Sequence, residues 1–156
     1  MEKCNKKVYS TDELLALIEN TVAQNGVFPL TVTGTSMTPT LYSNRDVVHL
    51  VSTAVKPYKK YDIILFKRAD GKVVLHRITK LLSDNKLLIN GDSQIWTEEI
   101  EASQIIAVVK SFKRKEKIID CDNLFYRTII TIWCSIRRLR PFCFKLSQLL
   151  KRRNHI

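Results

Sequence analysis

Glycine and proline are scarce in this chain, and no long uncharged apolar run is present. Only four glycines and four prolines occur in 156 residues, which excludes a collagen-like protein and a low-complexity linker. A composition of 45% hydrophobic and 26% charged residues excludes a disordered chain and an integral bundle of transmembrane helices. The length predicts one domain with a short appendage, large enough to bury a core without a metal or a disulfide.

Cysteines at metal-ligand spacing are also missing. The four cysteines, Cys4, Cys121, Cys134 and Cys143, form no C-x-x-C pair and do not accompany a histidine cluster. We therefore expect free thiols in a reducing compartment, no metal site and no cofactor. The first seven residues, MEKCNKK, are not followed by an apolar segment of the kind found in secretory signal peptides. The expected location is the cytoplasm or a membrane surface, and not the outside of the cell.

Acidic residues are absent from the last part of the chain. The net charge is +11, yet residues 1–109 carry only about +1 of it. Residues 110–156 contain 13 Lys and Arg and three acidic residues, and no acid follows Asp122. A nearly neutral body with a basic tail is attracted to anionic surfaces, either membrane or nucleic acid.

The periodicity predicts a mainly β protein: a small antiparallel sheet between an N-terminal amphipathic helix and one or two basic C-terminal helices. The parts are residues 1–27, 28–112 and 113–156. A capping box at Ser10 and Glu13 begins the first helix, which should end near Gln24. Asp70-Gly71 predicts a hairpin with a two-residue turn. Six short β-branched segments predict the strands: Leu30–Thr33, Asp46–Ser52, Asp62–Lys67, Val73–Leu81, Lys86–Ile89 and Ile105–Phe112.

A candidate nucleophile lies in the segment TGTSMTPTL, residues 33–41. A serine between a nearby glycine and a following proline can present its hydroxyl while its backbone N–H stays available to an oxyanion. Ser36 occupies that position, but an ordinary turn has the same composition. A candidate base follows at His76, which strand alternation places with Val74 and Ile78 on an apolar face. A simple core or edge histidine is the alternative, and neither His49 nor His155 has comparable context.

Several short segments together resemble one clan of serine peptidases, the type I signal peptidases and the related SOS-repressor autoproteases. The segment around Ser36 resembles their G-x-S-M-x-P box, and the later boxes follow in the same order. The histidine makes the chain most similar to the endoplasmic-reticulum and sporulation types, which pair serine with histidine. The segments concerned are Gly34–Pro39, Arg45–Val48, Tyr61–Ile64, His76–Ile78 and Asn90–Ser93.

The resemblance implies a serine endopeptidase that cleaves a signal or leader peptide through Ser36, His76 and an acyl-enzyme. It implies a third, acidic member at Glu98, with Asp92 as the alternative and Glu99 as a more distant one. It also implies a substrate strand and oxyanion donors, for which the residues are Gly34, Thr35, Met37 and Leu75. The chain departs from the clan where Arg45 and Tyr61 replace a usual glycine, and where Gly34 replaces an oxyanion-binding hydroxyl.

Two other functions stay open from the residues. One is a cytosolic maturation peptidase that removes the leader of a small co-encoded peptide. The other is a non-catalytic module on the same fold, binding a peptide or a membrane. Both Ser36 and His76 are present, which argues against lost catalysis. The sequence indicates no oligomeric state.

The basic tail after Asp122 has helical periodicity with a one-sided apolar stripe. A membrane surface suits that stripe better than nucleic acid does, so we expect residues 124–152 to lie in the plane of an anionic membrane. Alternatively the stripe packs on the sheet, or a short hairpin enters one leaflet. Pro141 should end the helix, and a second helix should run from Phe142 to Arg152. The stripe comprises Phe125, Ile129, Ile132, Trp133 and Ile136, and the opposite face Arg127, Thr131, Ser135 and Arg138.

Overall fold

The computed structural model describes residues 10–142. It contains two α-helices, α1 (Thr11–Ala23) and α2 (Leu124–Ser135), and eight strands. Short 3-10 helices cover Ala102–Gln104 and Arg137–Leu139. The strands are β1 (Phe28–Thr31), β2 (Asp46–Val51), β3 (Ile63–Lys67), β4 (Val73–Leu81), β5 (Lys86–Asn90), β6 (Glu98–Glu101), β7 (Ile105–Arg114) and β8 (Lys117–Asp120).

All eight strands belong to one antiparallel sheet. Seven of them follow the order β1-β2-β7-β3-β4-β5-β6, and β8 pairs with β7. Strand β7 is central: it pairs with β2 along one edge, and with β3 and then β8 along the other. Strand β4 pairs with β3 from Val73 to Arg77 and with β5 from Arg77 to Leu81. The mainly β fold with an N-terminal helix and C-terminal helices is therefore confirmed.

The predicted elements differ from the observed ones mainly where strands are short. Strands β6 and β8 were not predicted, because each has only four residues and carries a charged side chain at both ends. The predicted boundary at residue 112 falls inside β7, and the sheet continues to Asp120. The two-residue turn predicted at Asp70-Gly71 is wrong. The connection runs from Arg68 to Lys72, with Gly71 at φ +84°.

Two apolar clusters lie on opposite faces of the sheet, because neighbouring residues of β3 alternate between them. Ile63 and Leu65 belong to the first cluster, and Ile64 and Phe66 to the second. The first cluster also contains Ile18 and Val22 of α1. Further members of the first cluster are Val32, Met37, Leu41, Val48, Leu50, Ala107, Val109, Phe112 and Cys121, and those of the second are Ile78, Leu87, Ile89, Ile100 and Val108.

Helix α2 docks on the sheet through a face that the sequence did not indicate. Ile130 is buried, and Tyr126 packs against Phe112 with ring centroids 5.6 Å apart. Arg127, expected on the solvent face, forms an ion pair of 2.6 Å with buried Asp62. This arrangement is favoured because the ion pair and the aromatic contact both lie on one side of the helix.

The apolar stripe of α2 consequently stays at the surface. Phe125, Ile129 and Ile132 are 76%, 47% and 59% exposed, so the alternative that these three pack on the sheet is wrong. Helix α2 ends at Ser135, six residues before Pro141, and residues 140–142 are again helical. The rest of the second predicted helix, residues 143–152, lies outside the described residues, as do Cys4 and Cys143. Within residues 10–142, no helix is long and apolar enough to cross a membrane.

Candidate active site

The Ser36 loop connects β1 to β2 and is held by the turn that follows β5. The Ser36 carbonyl accepts hydrogen bonds from the backbone N–H of Ser93 at 2.9 Å and from its hydroxyl at 3.0 Å. On the other side of the loop, Met37 is buried in the first cluster. Ser36 is therefore fixed through its backbone and through its neighbour, which leaves its side chain available for chemistry.

The backbone of the loop suits an oxyanion donor. Gly34 has φ +75°, a left-handed conformation that glycine adopts without strain. The Thr35 carbonyl accepts a hydrogen bond from the Thr38 amide at 3.1 Å, which closes the turn. Within the described chain, the Ser36 amide donates no hydrogen bond. An N–H in that state can bind a developing negative charge on a substrate oxygen, and the roles of Gly34, Thr35 and Met37 there stay predictions.

His76 projects into the second cluster and is only 3% exposed. It lies opposite Ile64 in the ladder, and its ring centroid is 6.0 Å from that of Phe66. Its Nδ1 atom is buried and has no hydrogen-bond partner among the described residues 10–142. Burial, together with the charge of Arg68, lowers the pKa of His76 to about 4. The imidazole is thus neutral at pH 7, the state that a general base requires.

Neither candidate carboxylate pairs with His76. Glu98 receives a bidentate pair from Arg68, with 2.7 Å between Arg68 Nε and Glu98 Oε1. Asp92 receives one from Arg77, at 2.9 and 2.7 Å. The charges of Glu98 and Asp92 act to raise the pKa of His76, but burial acts in the opposite direction and prevails.

No hydrogen bond joins the Ser36 hydroxyl to the His76 ring within residues 10–142. Hydrogen bonds of catalytic groups are often long or absent without substrate and form in the complex. The pairing of Ser36 with His76, and a third member at Glu98 or Asp92, accordingly stay predictions.

A buried polar network lies on the opposite face of β4 from His76. Arg77 is 1% exposed, and its guanidinium also donates to the Tyr61 carbonyl at 2.7 Å. Thr40, from the Ser36 loop, donates to Asp92. Burial opposes the charge of Arg77, but the Asp92 carboxylate raises its pKa above the ordinary value. The network therefore ties the Ser36 loop, the turn after β5 and β4 together.

One edge of β4 is unpaired beside His76. Strand β5 pairs with β4 only from Arg77 onward, so residues 73–76 have a neighbour on the β3 side alone within the described part of the chain. Leu75, predicted to contact substrate, lies in this stretch and is half-buried. An open edge of this kind can accept an extended peptide as an additional strand.

The two aspartates of the resembling strand boxes are structural anchors. Asp46 is buried and bound by Arg45 at 2.7 Å and by Arg114 at 3.0 Å. Burial alone would raise the pKa of this aspartate, but the two arginines lower it to about 2. Asp62 is also buried and forms an ion pair with Lys56 at 2.6 Å. These aspartates attach loops and α2 to the sheet and touch neither Ser36 nor His76.

Tyr61 and Arg45, which replace glycines usual in the resembling clan, differ in their backbone conformation. Tyr61 has φ +74°, in the left-handed region that favours glycine. Arg45 does not need such a conformation, because Asn44 takes it one residue earlier at φ +56°. Tyr61 is therefore a strained position, whereas Arg45 is not.

Sequence reasoning missed two arginines that shape the site. Arg68 holds Glu98 and lowers the pKa of His76. Arg140 is fully buried against the turn after β5. Arg68 follows a strand and faces a carboxylate thirty residues away, while Arg140 resembles any other cation of the basic tail. No local pattern marks either one.

Comparison with known families gives a match to the family described as Peptidase S24-like, over residues 3–116. This chain belongs to that family. The match covers more than half of the chain and includes Ser36, His76, Glu98 and Asp92. The suspected clan is thereby confirmed, and the protein has a serine-peptidase-type fold. A search of curated proteins finds no match.

Proposed function

We propose that this protein is a serine endopeptidase that cleaves a signal or leader peptide with Ser36 as nucleophile and His76 as base. The observation that carries the proposal is a buried, neutral histidine beside an unpaired strand edge, in a family-matched chain that also contains Ser36. The Ser36 loop supports it, because its free amide and its anchored carbonyl are the features that a fixed nucleophile needs.

In the proposed reaction a peptide lies along residues 73–76 as an added strand. Ser36 Oγ attacks the peptide carbonyl carbon while a ring nitrogen of His76 takes the hydroxyl proton. The Ser36 amide stabilises the oxyanion. His76 then protonates the departing amine, which leaves Ser36 as an ester. Water, deprotonated by His76, hydrolyses that ester and releases the acid.

The test uses a synthetic peptide library with Ala, Gly and Ser at central positions, because small residues near the cleaved bond are expected from the resemblance. Mass spectrometry should find products of the wild-type protein, and Ser36→Ala should reduce the cleavage rate by roughly 10⁴-fold. Exposed Ser103 provides the matched control as Ser103→Ala. Full activity of Ser36→Ala would contradict the proposal. Binding of library peptides without cleavage would favour the non-catalytic module instead.

We also propose that the protein associates with an anionic membrane surface through α2. Ile118 on β8, which is 67% exposed, lines one groove of about 650 Å³ together with Phe125 and Ile129. The chain after Asp122 contains eight Lys and Arg and no acid, which complements anionic headgroups. The exposed rim of this groove lies outside the face of α2 that packs on the sheet. Contact with a membrane therefore does not require α2 to unfold.

Sedimentation with vesicles tests the membrane proposal. The protein should pellet with vesicles of phosphatidylglycerol and phosphatidylcholine at low salt, and less with phosphatidylcholine alone. The combined variant Phe125→Ser, Ile129→Ser and Ile132→Ser should lose binding and keep its fold, because all three side chains are exposed. Leu17→Ser, at an exposed apolar residue of α1, is the control. Equal binding by the combined variant would exclude this surface.

A further inference from the structure

Arg140 lies beyond the family-matched region, yet it is as buried as the core. Its exposure is 0%, and it belongs to the helical segment that follows α2. Its Nη1 donates to Asn90 Oδ1 at 2.6 Å, to the Gln94 carbonyl at 3.0 Å and to the Gly91 carbonyl at 3.3 Å. The guanidinium carbon also lies 5.1 Å from the ring centre of Trp133.

This arginine has no ion-pair partner among residues 10–142. A buried charge is costly unless hydrogen bonds compensate for it. Here Nη1 donates to three neutral oxygens of one short turn, while the buried Nε has no hydrogen-bond partner among residues 10–142. Burial also lowers the pKa of Arg140. The basic side chain is therefore committed to the turn formed by residues 90–94 and is not part of the solvent-facing charge of the tail.

The same turn holds the candidate nucleophile from its other side. Ser93 donates both its amide and its hydroxyl to the Ser36 carbonyl. A Cβ added at Gly91 would lie 2.8 Å from that carbonyl oxygen, so the turn and the Ser36 loop are in close contact. Within the turn, the Gln94 amide donates to the Gly91 carbonyl at 2.9 Å. Arg140 and Ser36 are thus joined through three consecutive sets of hydrogen bonds.

We propose that Arg140 is a positioning residue for Ser36, acting through the turn of residues 90–94. Its guanidinium fixes the carbonyls of Gly91 and Gln94, and this keeps the Ser93 donors aimed at the Ser36 carbonyl. The C-terminal helical segment is consequently part of the active-site scaffold. The effect on turnover rests on the proposed peptidase function, whereas the effect on the turn does not.

The structural arm of the test measures NMR-detected amide hydrogen exchange and needs no substrate. Arg140→Gln should accelerate exchange of the Ser93 amide at least tenfold, while the amides of β2 and β7 keep their rates. Arg140→Lys keeps the positive charge but loses the planar guanidinium with its several N–H donors. It should therefore give an intermediate exchange rate for the Ser93 amide. Arg138, an exposed arginine two residues earlier, provides the control. In Arg138→Gln the Ser93 amide should exchange at the wild-type rate. Unchanged Ser93 exchange in both Arg140 variants would overturn the proposal.

The kinetic arm separates positioning from simple destabilisation. At a temperature well below unfolding, Arg140→Gln should lower kcat roughly 10- to 100-fold with KM nearly constant, because small displacements of a nucleophile have effects of that size. Arg140→Lys should recover part of the loss. An unchanged kcat in a folded Arg140→Gln protein would overturn positioning. If the wild type cleaves no peptide while Ser93 exchange still responds to Arg140, the peptidase function fails and the structural role of Arg140 stands.

Discussion

The two faces of strand β4 differ in how completely their polar side chains are paired. On one face, Arg77 is buried with both ends of its guanidinium bound, to Asp92 and to the Tyr61 carbonyl. On the other face, His76 is equally buried, but its Nδ1 has no hydrogen-bond partner in the part of the chain that the structure describes. The residues are adjacent in sequence and share one backbone, so the difference comes from what each face meets.

This difference separates scaffold from chemistry. A fully hydrogen-bonded buried network holds loops in one arrangement, because each broken contact leaves a polar group without solvent or partner. An unpaired, titratable ring in an apolar site keeps its capacity to bind a proton. The Arg77 face thus positions the Ser36 loop, and the His76 face carries the candidate base. The following predictions test that separation.

The largest effect is expected at His76. His76→Leu should lower peptidase activity by roughly 10⁴-fold, as loss of the base does in other serine hydrolases. Its free energy of unfolding should not fall, because an apolar side chain of similar size replaces a ring that made no hydrogen bond at Nδ1. Urea unfolding and peptide cleavage measure the two effects, and His49→Leu serves as the histidine control. A loss of stability without a loss of activity would reverse the proposed separation.

The opposite result is expected at Arg77. Arg77→Met leaves Asp92 buried without its cation, and should lower the free energy of unfolding by about 3–5 kcal/mol. The double variant Arg77→Met, Asp92→Leu removes both charges and should recover much of that loss. Urea unfolding of the three proteins measures this coupling. Additive losses in the double variant would show that the two charges do not depend on each other.

The pH dependence tests the charge beside His76. With the pKa of His76 at about 4, kcat/KM should stay constant from pH 7 to about pH 5 and fall below that. Arg68 contributes to lowering this pKa, so Arg68→Gln should shift the acid limb to higher pH. Arg45→Gln, at an arginine that pairs with Asp46, should not shift it. An acid limb above pH 6.5 in the wild type would indicate a carboxylate bound to His76.

Stability should depend on pH through the same group. An unfolded histidine binds its proton near pH 6.5, while folded His76 does so only near 4. The unfolded state therefore binds more protons between these values, and the His76 contribution to stability is lost as the pH falls from about 6.5 to 4. Urea unfolding at pH 7 and pH 5 should show a larger decrease for wild type than for His76→Leu. Equal decreases would contradict the lowered pKa.

The smallest effect is expected at Tyr61, which supports the Arg77 face through its carbonyl. Tyr61→Gly relieves the left-handed strain at φ +74° and should raise the free energy of unfolding by about 0.5–1 kcal/mol relative to Tyr61→Ala. The alanine variant retains the strain and lacks the ring, so the difference isolates the backbone term. Thermal unfolding measures it. A less stable glycine variant would show that the conformation is not strained.

Local signals predicted the parts of the fold that depend on neighbours in sequence. The capping box at α1 has both of its hydrogen bonds, between Ser10 and Glu13, at 2.8 and 3.3 Å. All six predicted strands lie within two residues of the observed bounds at both ends, and the predicted bounds of β4 are those observed. Alternation also placed His76 on an apolar face, which the second cluster confirms. These signals are short-range, so one sequence is enough to identify them.

Pairing between distant residues could not be predicted in the same way. Strands β6 and β8 form only because β5 and β7 present open edges to them. The expected pairing of Glu98 with His76 competes with Arg68, and the structure gives that carboxylate to the arginine. In each case several partners are chemically acceptable, and distance in the folded chain selects among them.

The sequence by itself determined the class of fold, the family and the order of the segments that carry Ser36 and His76. These follow from periodicity, turn chemistry and motif order, which are properties of a linear chain. Only the tertiary structure decided which arginine neutralises which carboxylate, which face of α2 docks, and that Arg140 is buried rather than solvated. Those outcomes depend on the cost of burying each charge against the hydrogen bonds that distant segments provide, and that balance exists only in the packed molecule.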